Sequence, residues 1–364
     1  MRKILSVFLA FLIIVVSIPV VYGANIFDGF VYETNENGTY TITGYRDFYT
    51  DYVNIPTKIN NTDVTAIGSG AFQSKGNINS VRIPETVTSI GSMAFYGCKN
   101  LTSVIIGANV KSIGAKAFNS CTSLTGVNLR NVEILGEYAF YGCTALTELY
   151  CGNSLKVIGQ RAFHSCTALS SDYLNWGSTL IYIGDYAFSG CTTISSLKLP
   201  DSLGYIGNSA FKGCAALSSV TFGSGELEIA PYAFENCIAL TEITIPANVK
   251  TIGRYAFALR EIATTEFSHS VSISCSIYSG GLTYAQAHGL PVYIIETQQH
   301  ISLFGDIDGN GIIDTTDSRL ILRIAASLDV LPSEDTLFII DFNNNGVVDT
   351  VDAQRTLKIA AGII

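Results

Sequence analysis

Charged side chains are scarce in this chain of 364 residues, since Asp, Glu, Lys and Arg together make up 14% of it. Soluble domains average about 25%, and so low a value excludes a disordered chain or a coiled coil, both of which depend on charge. Four histidines leave little room for a histidine-based metal centre. The formal net charge of −9 argues against a nucleic-acid partner, because the phosphate backbone is itself negative.

The first 23 residues have the three-part pattern of a secretory signal peptide. Arg2 and Lys3 precede an apolar run from Ile4 to Val21, and Gly23 places a small residue at the cleavage position. Because the run is about long enough to span a bilayer, a membrane anchor is the alternative. The sequence predicts cleavage after Gly23 and a secreted, extracellular protein with no membrane span in its mature form.

One phrase, Ile-Gly-x-x-Ala-Phe, recurs nine times with small variations in the middle of the chain. The copies begin at Ile67, Ile90, Ile113, Leu135, Ile158, Ile183, Ile206, Ile229 and Ile252, in steps of 22–25 residues. A Leu-x-x-Leu-x-Leu element, the pattern of a short strand with inward residues at fixed offsets, also recurs in each unit. One unit cannot bury its own apolar face, so the units are expected to stack into a solenoid.

The repeats resemble the BspA-type leucine-rich repeat of bacterial surfaces over roughly residues 40–295. The spacing and the Ala-Phe-x-x-Cys signature carry this resemblance. It implies a β-rich solenoid with a parallel sheet along one face, a hairpin-like lead-in at Tyr40–Pro56 and a C-terminal cap at Leu282–Val292. A cap is also required physically, since the last repeat would otherwise expose its core and an unpaired sheet edge.

Seven of the nine cysteines occupy one repeat position, three residues after the repeat phenylalanine. These are Cys98, Cys121, Cys143, Cys166, Cys191, Cys214 and Cys237, whereas Cys151 and Cys275 stand apart. A column of buried thiols, each filling one layer of core, is one interpretation, and disulfides in an exported protein are the other. Layers about 4.8 Å apart lie within disulfide range, but the odd number and the parallel side chains favour buried thiols.

The residues between the apolar positions of each predicted strand point outward and form a candidate recognition face. Tyr150 and Tyr173 are neighbours on this face. The repeat that holds Tyr173 is lengthened to 25 residues and contains the only tryptophan, Trp176; insertions in repeat proteins often mark binding sites. These three aromatic side chains are predicted to contact a sugar or a polypeptide. The alternative is that the tyrosines merely cover the sheet.

After a short polar linker at 297–302, residues 303–364 contain two twelve-residue loops of EF-hand type. Such a loop has oxygen ligands at positions 1, 3, 5, 9 and 12, a glycine at position 6 and a backbone carbonyl ligand at position 7. The predicted ligands of two Ca²⁺ ions are Asp306, Asp308, Asn310, Ile312, Asp314 and Asp317, and Asp341, Asn343, Asn345, Val347, Asp349 and Asp352. The second loop has one carboxylate fewer than the first, which predicts weaker calcium binding.

Each loop leads into an apolar helical pattern, at Ser318–Ser327 and Ala353–Ala361. This pairing of loop and helix resembles the type I dockerin of cellulosome-type assemblies. The resemblance implies a small all-α module that binds a cohesin module of a scaffold protein in a calcium-dependent way. By position, it implies cohesin contacts at Thr315, Thr316, Leu322, Arg323, Thr350, Val351, Leu357 and Lys358. Val351 departs from the family's hydroxyl pair, and Leu-Arg and Leu-Lys depart from its paired basic residues.

The chain contains no serine-hydrolase elbow, zinc-protease helix or phosphate-binding loop. The predicted organisation is a signal peptide at 1–23, a solenoid with its caps at 24–296, a linker at 297–302 and a dockerin at 303–364. We expect a non-catalytic binding or adhesion protein, anchored to a cohesin-bearing scaffold, whose solenoid recognises a protein or a polysaccharide. The alternatives are a carbohydrate-active enzyme component, because most dockerin-bearing chains carry one, and a protease inhibitor or structural spacer of the complex.

Overall fold

The computed structural model describes most of the repeat region and parts of the C-terminal region. The described residues are 25–46, 50–174, 176–260, 267–268, 271–276, 279–288, 290, 292–294, 299–301, 305–307, 312–327, 329, 340–342 and 347–361. The predicted signal peptide lies outside them. Among the described residues, no helix combines the length and the apolar character needed to cross a membrane.

Nearly every repeat contributes one short strand to each of two faces, so parallel strands line two faces instead of the single face expected. The Ile-Gly element forms the longer sheet, with strands Thr62–Ile67, Ser89–Ile90, Ser112–Ile113, Ile134–Leu135, Val157–Ile158, Tyr182–Ile183, Tyr205–Ile206, Leu227–Ile229 and Val249–Ile252. Four N-terminal strands extend this sheet: Asn25–Phe27, Phe30–Thr34, Tyr40–Tyr45 and Lys58–Ile59. The reason for two faces is that both repeat elements contain apolar residues that point into the shared core.

The Leu-x-x-Leu-x-Leu elements form the second face, which is divided into three sheets. Tyr52–Asn54, Ser80–Arg82, Ser103–Ile105, Gly126–Asn128 and Glu148–Tyr150 form the first, and Ser196–Lys198 pairs with Ser219–Thr221 in the next. The third contains Glu242–Ile245, Ser272–Cys275, Val292–Ile294 and Gln299–Ile301. The first and second sheets are separated by a 3-10 turn at Ser171–Tyr173. A separate antiparallel pair joins Leu259–Arg260 to Phe267–Ser268.

Nine buried phenylalanines form a single stack through the solenoid. From Phe72 to Phe257, neighbouring ring centroids are 4.9–5.3 Å apart and the ring planes differ by 4–15°. The backbone joins the same layers, because the N–H of one repeat phenylalanine donates to the carbonyl of the alanine in the next repeat, as from Phe234 to Ala256 over 2.7 Å. Each layer thus completes the core of its neighbours.

The glycine of the Ile-Gly phrase is required by the close approach of successive layers. A Cβ atom on Gly91 would lie 2.7 Å from the carbonyl carbon of Gly68, a backbone atom that cannot give way. Ala230 occupies this position in the eighth repeat, and there the strand register shifts between Leu227 and Glu228.

The residue before each Ala-Phe pair adopts left-handed backbone geometry whatever its side chain. Eight non-glycine residues at this position have φ between 53° and 60°: Met93, Lys116, Tyr138, Arg161, Tyr186, Ser209, Tyr232 and Tyr255. Most side chains disfavour this region. The turn is therefore imposed by the stacking of the layers and is not a preference of the residues that form it.

Helix α1, Gly280–His288, closes the C-terminal end of the solenoid, as the predicted cap requires. The ring of Tyr284 packs edge-on against Phe257 at 5.6 Å. Its hydroxyl accepts a hydrogen bond of 3.2 Å from the Phe257 N–H, the group that donates to the following repeat elsewhere. The strand Gln299–Ile301 then pairs antiparallel with Val292–Ile294, so part of the predicted linker belongs to the last sheet.

Further along the chain lie α2, Thr315–Ala325, and α3, Thr350–Ala360, which pack against each other. Both begin three residues before the predicted positions. Asp314 and Asp349 are the N-caps, and each forms a capping box with the aspartate three residues later. The last residues of each predicted loop are therefore already helical.

Candidate functional site

The second face of the solenoid displays the outward-pointing side chains predicted for recognition. Arg82, Ile105, Asn128 and Tyr150 follow one another across adjacent parallel strands. All four are exposed, Ile105 by 54% and Tyr150 by 45%. An aliphatic and an aromatic side chain are thus presented to solvent between polar neighbours, which is a composition typical of protein interfaces.

A depression of about 310 Å³ is lined by three residues of this row, Arg82, Ile105 and Asn128. Arg82 and Arg130 provide guanidinium groups to its lining, and Ile105 and Val132 provide aliphatic surface. Arg82 contributes to an exposed ion pair with Glu85, at 3.9 Å. The depression combines donors for carboxylates with apolar contact area.

The predicted aromatic cluster of Tyr150, Tyr173 and Trp176 is not a continuous exposed surface. Trp176 is only 2% exposed and packs edge-on against Phe188, with ring centroids 5.3 Å apart, so its placement on the surface was wrong. The cause is Asp172, which is exposed and stands where other repeats have an inward Val, Leu or Ile. Without that apolar residue the strand is replaced by the 3-10 turn that ends at Tyr173, and the indole fills the core instead.

A row of tyrosines and cations that the sequence did not single out as a site lies along the left-handed turns. The guanidinium carbon of Arg161 lies 5.4 Å from the ring centroid of Tyr138 and 4.8 Å from that of Tyr186. Lys116 lies 5.5 Å from the Tyr138 ring on the same row. These are cation–π contacts between successive repeats, and they involve two of the four tyrosines that precede Ala-Phe.

The nine cysteines are buried free thiols. Each of the seven in the column donates its thiol hydrogen to the carbonyl of the phenylalanine in the preceding repeat, with Sγ–O distances of 3.0–3.3 Å. Burial raises the pKa of Cys98 to about 11 and that of Cys237 to about 12. The first repeat has Lys75 at this position and has no preceding phenylalanine to accept such a bond.

Two carboxylates of the first predicted calcium loop fix its ends. Asp317 is fully buried; its Oδ1 accepts the Ile307 N–H at 2.9 Å and its Oδ2 accepts the Asp314 N–H at 2.9 Å. Asp314 in turn accepts the Thr316 N–H, which lowers the pKa of its carboxyl. Position 12 of the loop is thus joined to positions 2 and 9.

The second loop repeats this arrangement. Asp352 is fully buried and accepts the N–H groups of Phe342 at 2.9 Å and Asp349 at 2.8 Å. Burial, with the charges of Asp341 and Asp349, raises the pKa of Asp352. Asp352 therefore lies within reach of the charges of two other predicted ligands of the same loop, Asp341 and Asp349.

Part of each predicted ligand set cannot be placed. Asp308, Asn310, Asn343 and Asn345 lie outside the described residues, whereas Ile312 and Val347 are described and exposed. Within the described part of the chain, no group of three or more His, Cys, Asp or Glu side chains is arranged to hold a metal ion. The eight predicted cohesin contacts are all on α2 and α3, and all eight residues are exposed.

The sequence pattern of the BspA type leucine rich repeat region matches residues 65–175 and 170–281 in six copies. These ranges together span more than half of the chain. The chain belongs to this family. In this BspA-type solenoid, all nine stacked phenylalanines lie within the matched residues.

Solved leucine-rich repeat structures resemble the chain at a general level. A leucine-rich repeat protein of T. pallidum is 24% identical, and the match covers 60% of this chain and 91% of that one with a TM-score of 0.46. A leucine-rich cell surface protein of Faecalibacterium prausnitzii is 24% identical over 70% of this chain and 89% of its own, with a TM-score of 0.38. No curated protein matches the chain.

Proposed function

We propose that the chain is a secreted, non-catalytic binding protein in which residues 24–296 recognise a ligand and residues 303–364 attach the protein to a scaffold. Attachment is by a dockerin-like module that binds a cohesin in a calcium-dependent way. The observation that carries this proposal is the exposure of all eight predicted contact residues on two helices at matching positions. Three of them are the large apolar side chains of Leu322, Val351 and Leu357, each about half exposed. Large exposed apolar side chains that lie together in one patch mark interaction surfaces.

Calcium is the cation that the loops would hold. Asp306, Asp314 and Asp317 would contribute to one site and Asp341, Asp349 and Asp352 to the other, beside the predicted ligands outside the described residues. The oxygen-only donor set fits a hard cation, and each carboxylate retains lone pairs after accepting its backbone hydrogen bonds. When bound, the cation would supply the positive charge that these carboxylates need to approach one another. The residues themselves hold the loop ends together and start α2 and α3.

The solenoid ligand is proposed to be a protein. The depression beside Ile105 is lined by arginine, aliphatic and polar residues, among them Glu85 and Asn128, and its lining contains no aromatic ring on which a sugar could stack. A polysaccharide ligand and a carbohydrate-active enzyme remain alternatives. Hydrolysis assays on plant polysaccharides would identify an enzyme, and binding of the same polysaccharides without hydrolysis would identify a sugar-binding solenoid.

The attachment is tested with the mature chain and a panel of recombinant type I cohesins, in calcium and in EDTA. Because the two helices present matching surfaces, Leu322→Asp or Leu357→Asp alone should leave binding through the other copy. The double variant should weaken binding by about 30-fold or more, as expected when an interface loses its central apolar contact. Gln354→Asp, which changes an exposed residue of α3 outside the predicted contacts, is the matched control. Binding that persists in EDTA, or the absence of binding to every cohesin, would refute the attachment.

A further inference from the structure

The two loop–helix copies of the C-terminal region pack against different partners although their folds match. At position 2 of the first loop, Ile307 packs against the small core formed by Ile321, Ile340 and Ala353. At position 2 of the second loop stands Phe342, which is 6% exposed and belongs to the hydrophobic core of the solenoid. The copies have therefore diverged in which core they contribute to.

The helices show the same divergence. Ile324 of α2 packs against the small core, whereas Ile359, at the equivalent position of α3, packs against the solenoid core. Arg355 of α3 places its guanidinium carbon 5.6 Å from the ring centroid of Phe342. Phe342 and Ile359 of the second copy therefore contact the solenoid core. Their equivalents in the first copy, Ile307 and Ile324, contact the small core of the C-terminal region.

A buried hydrogen bond joins the second loop to the solenoid cap. Gln286 of α1 is 2% exposed, and its Nε2 donates to the backbone carbonyl of Asp341 over 3.1 Å. Asp341 is position 1 of the second loop, and the N–H of the following residue, Phe342, donates to Asp352 at position 12. The cap therefore contacts the backbone at the point where the two ends of the loop meet.

We propose that the second loop–helix copy is a docking element for the solenoid's C-terminal cap, and that calcium binding by its loop is linked to that docking. The docking rests on the contacts of Phe342, Ile359 and Gln286, and the calcium linkage rests on the proposed function. A cation that orders the loop would fix Asp341 and Phe342 against α1, and a docked α1 would hold the loop in its binding geometry. Linkage of this kind is reciprocal.

The linkage is tested by hydrogen exchange of peptides covering 272–288 in the mature chain, with and without calcium, beside calorimetry of calcium uptake. Calcium should slow exchange of the cap by about ten-fold or more in the wild type, as binding to the docked state alone requires. Phe342→Ile, which installs the residue that the first copy uses, and Gln286→Ala should both reduce this effect and weaken uptake at one of the two sites. Ile307→Val in the first copy is the matched control and should leave the protection of the cap unchanged.

The outcomes separate this linkage from the proposed attachment. Two filled calcium sites with no change in cap exchange would overturn the linkage and leave the calcium-dependent attachment standing. Absence of calcium uptake would overturn the linkage and the proposed metal sites together. The metal-free protein still tests the docking, because Phe342→Ile should then speed exchange of the cap, and exchange equal to that of the wild type would overturn the docking.

Discussion

In the solenoid, nine stacked phenylalanines and their aliphatic neighbours form one continuous core, whereas the C-terminal unit has a core of its own with three buried apolar residues, Ile321, Ile340 and Ala353, among those described. Charged side chains, by contrast, are concentrated in the C-terminal region, where residues 303–364 hold ten acidic and four basic residues. A region with so small a core needs additional stabilisation. The packing of Phe342 into the solenoid core is one source of this stabilisation, and the proposed cations would be a second.

The largest expected difference between the regions appears at alkaline pH, because all nine cysteines lie in the repeats and their cap and none in residues 303–364. Burial raises the pKa of eight of them, that of Cys98 to about 11 and that of Cys151 to about 12. In the unfolded chain a thiol ionises near pH 8.5. The buried, protonated thiols therefore contribute their full stabilisation below about pH 8.5. This contribution is lost as the pH rises towards 11.

Each such thiol lowers the free energy of unfolding by about 1.4 kcal/mol per pH unit above the unfolded pKa, and eight lower it on the order of 10 kcal/mol per unit. We expect the solenoid to unfold between about pH 9.5 and 11. Circular dichroism and thiolate absorbance near 240 nm, recorded together, measure this transition. Thiolate that forms while the β-sheet signal is still native would contradict the expectation.

The second largest effect is expected at the centre of the phenylalanine stack. Phe163 is fully buried between Phe140 and Phe188. Phe163→Ala should lower the free energy of unfolding by about 3–5 kcal/mol, because it removes a buried ring and leaves a cavity. Denaturant titration measures the loss. Tyr150→Ala on the exposed face is the control and should change stability by about 0.5 kcal/mol or less; a similar loss in both variants would mean that the stack is not the main source of stability.

The smallest effect is expected at a helix cap of the C-terminal unit. Asp349 accepts the Val351 N–H at 2.7 Å and forms the capping box of α3. In calcium-free buffer Asp349→Ala should lower the stability of this unit by about 0.5–2 kcal/mol, as followed by the helical signal. Gln354→Ala, in the middle of the same helix, should be neutral. A larger loss of stability in Gln354→Ala than in Asp349→Ala would show that the capping box does not stabilise the start of α3.

The repeat phrase alone predicted the layers, their inward residues and the buried thiols, because each follows from spacing. It did not predict the left-handed turns, since Met93, Lys116 and Arg161 have no preference for that geometry and adopt it only through stacking. The burial of Trp176 had a visible signal in Asp172, which breaks the apolar pattern one turn earlier.

The C-terminal region was predictable in part for a similar reason. Local patterns predict the loops, and the positions of Asp314 and Asp349 could have placed the helix starts, since an aspartate three residues before another acidic residue is a capping signal. The hydrogen bond from Gln286 to Asp341 joins residues 55 apart in sequence that only the folded chain brings together. The sequence shows that Ile307 and Phe342 differ at loop position 2. It does not show that Phe342 packs into the solenoid core.

The stacking of identical layers has a consequence for distance. Because each repeat bonds only to its neighbours, gain or loss of one unit by duplication or deletion would lengthen or shorten the solenoid by about 4.8 Å, the spacing of adjacent strands. The row that contains Ile105 and the cap that seats Phe342 would keep their own structures while the separation between them changed. The number of repeats would thus set the distance between the proposed recognition face and the proposed point of attachment.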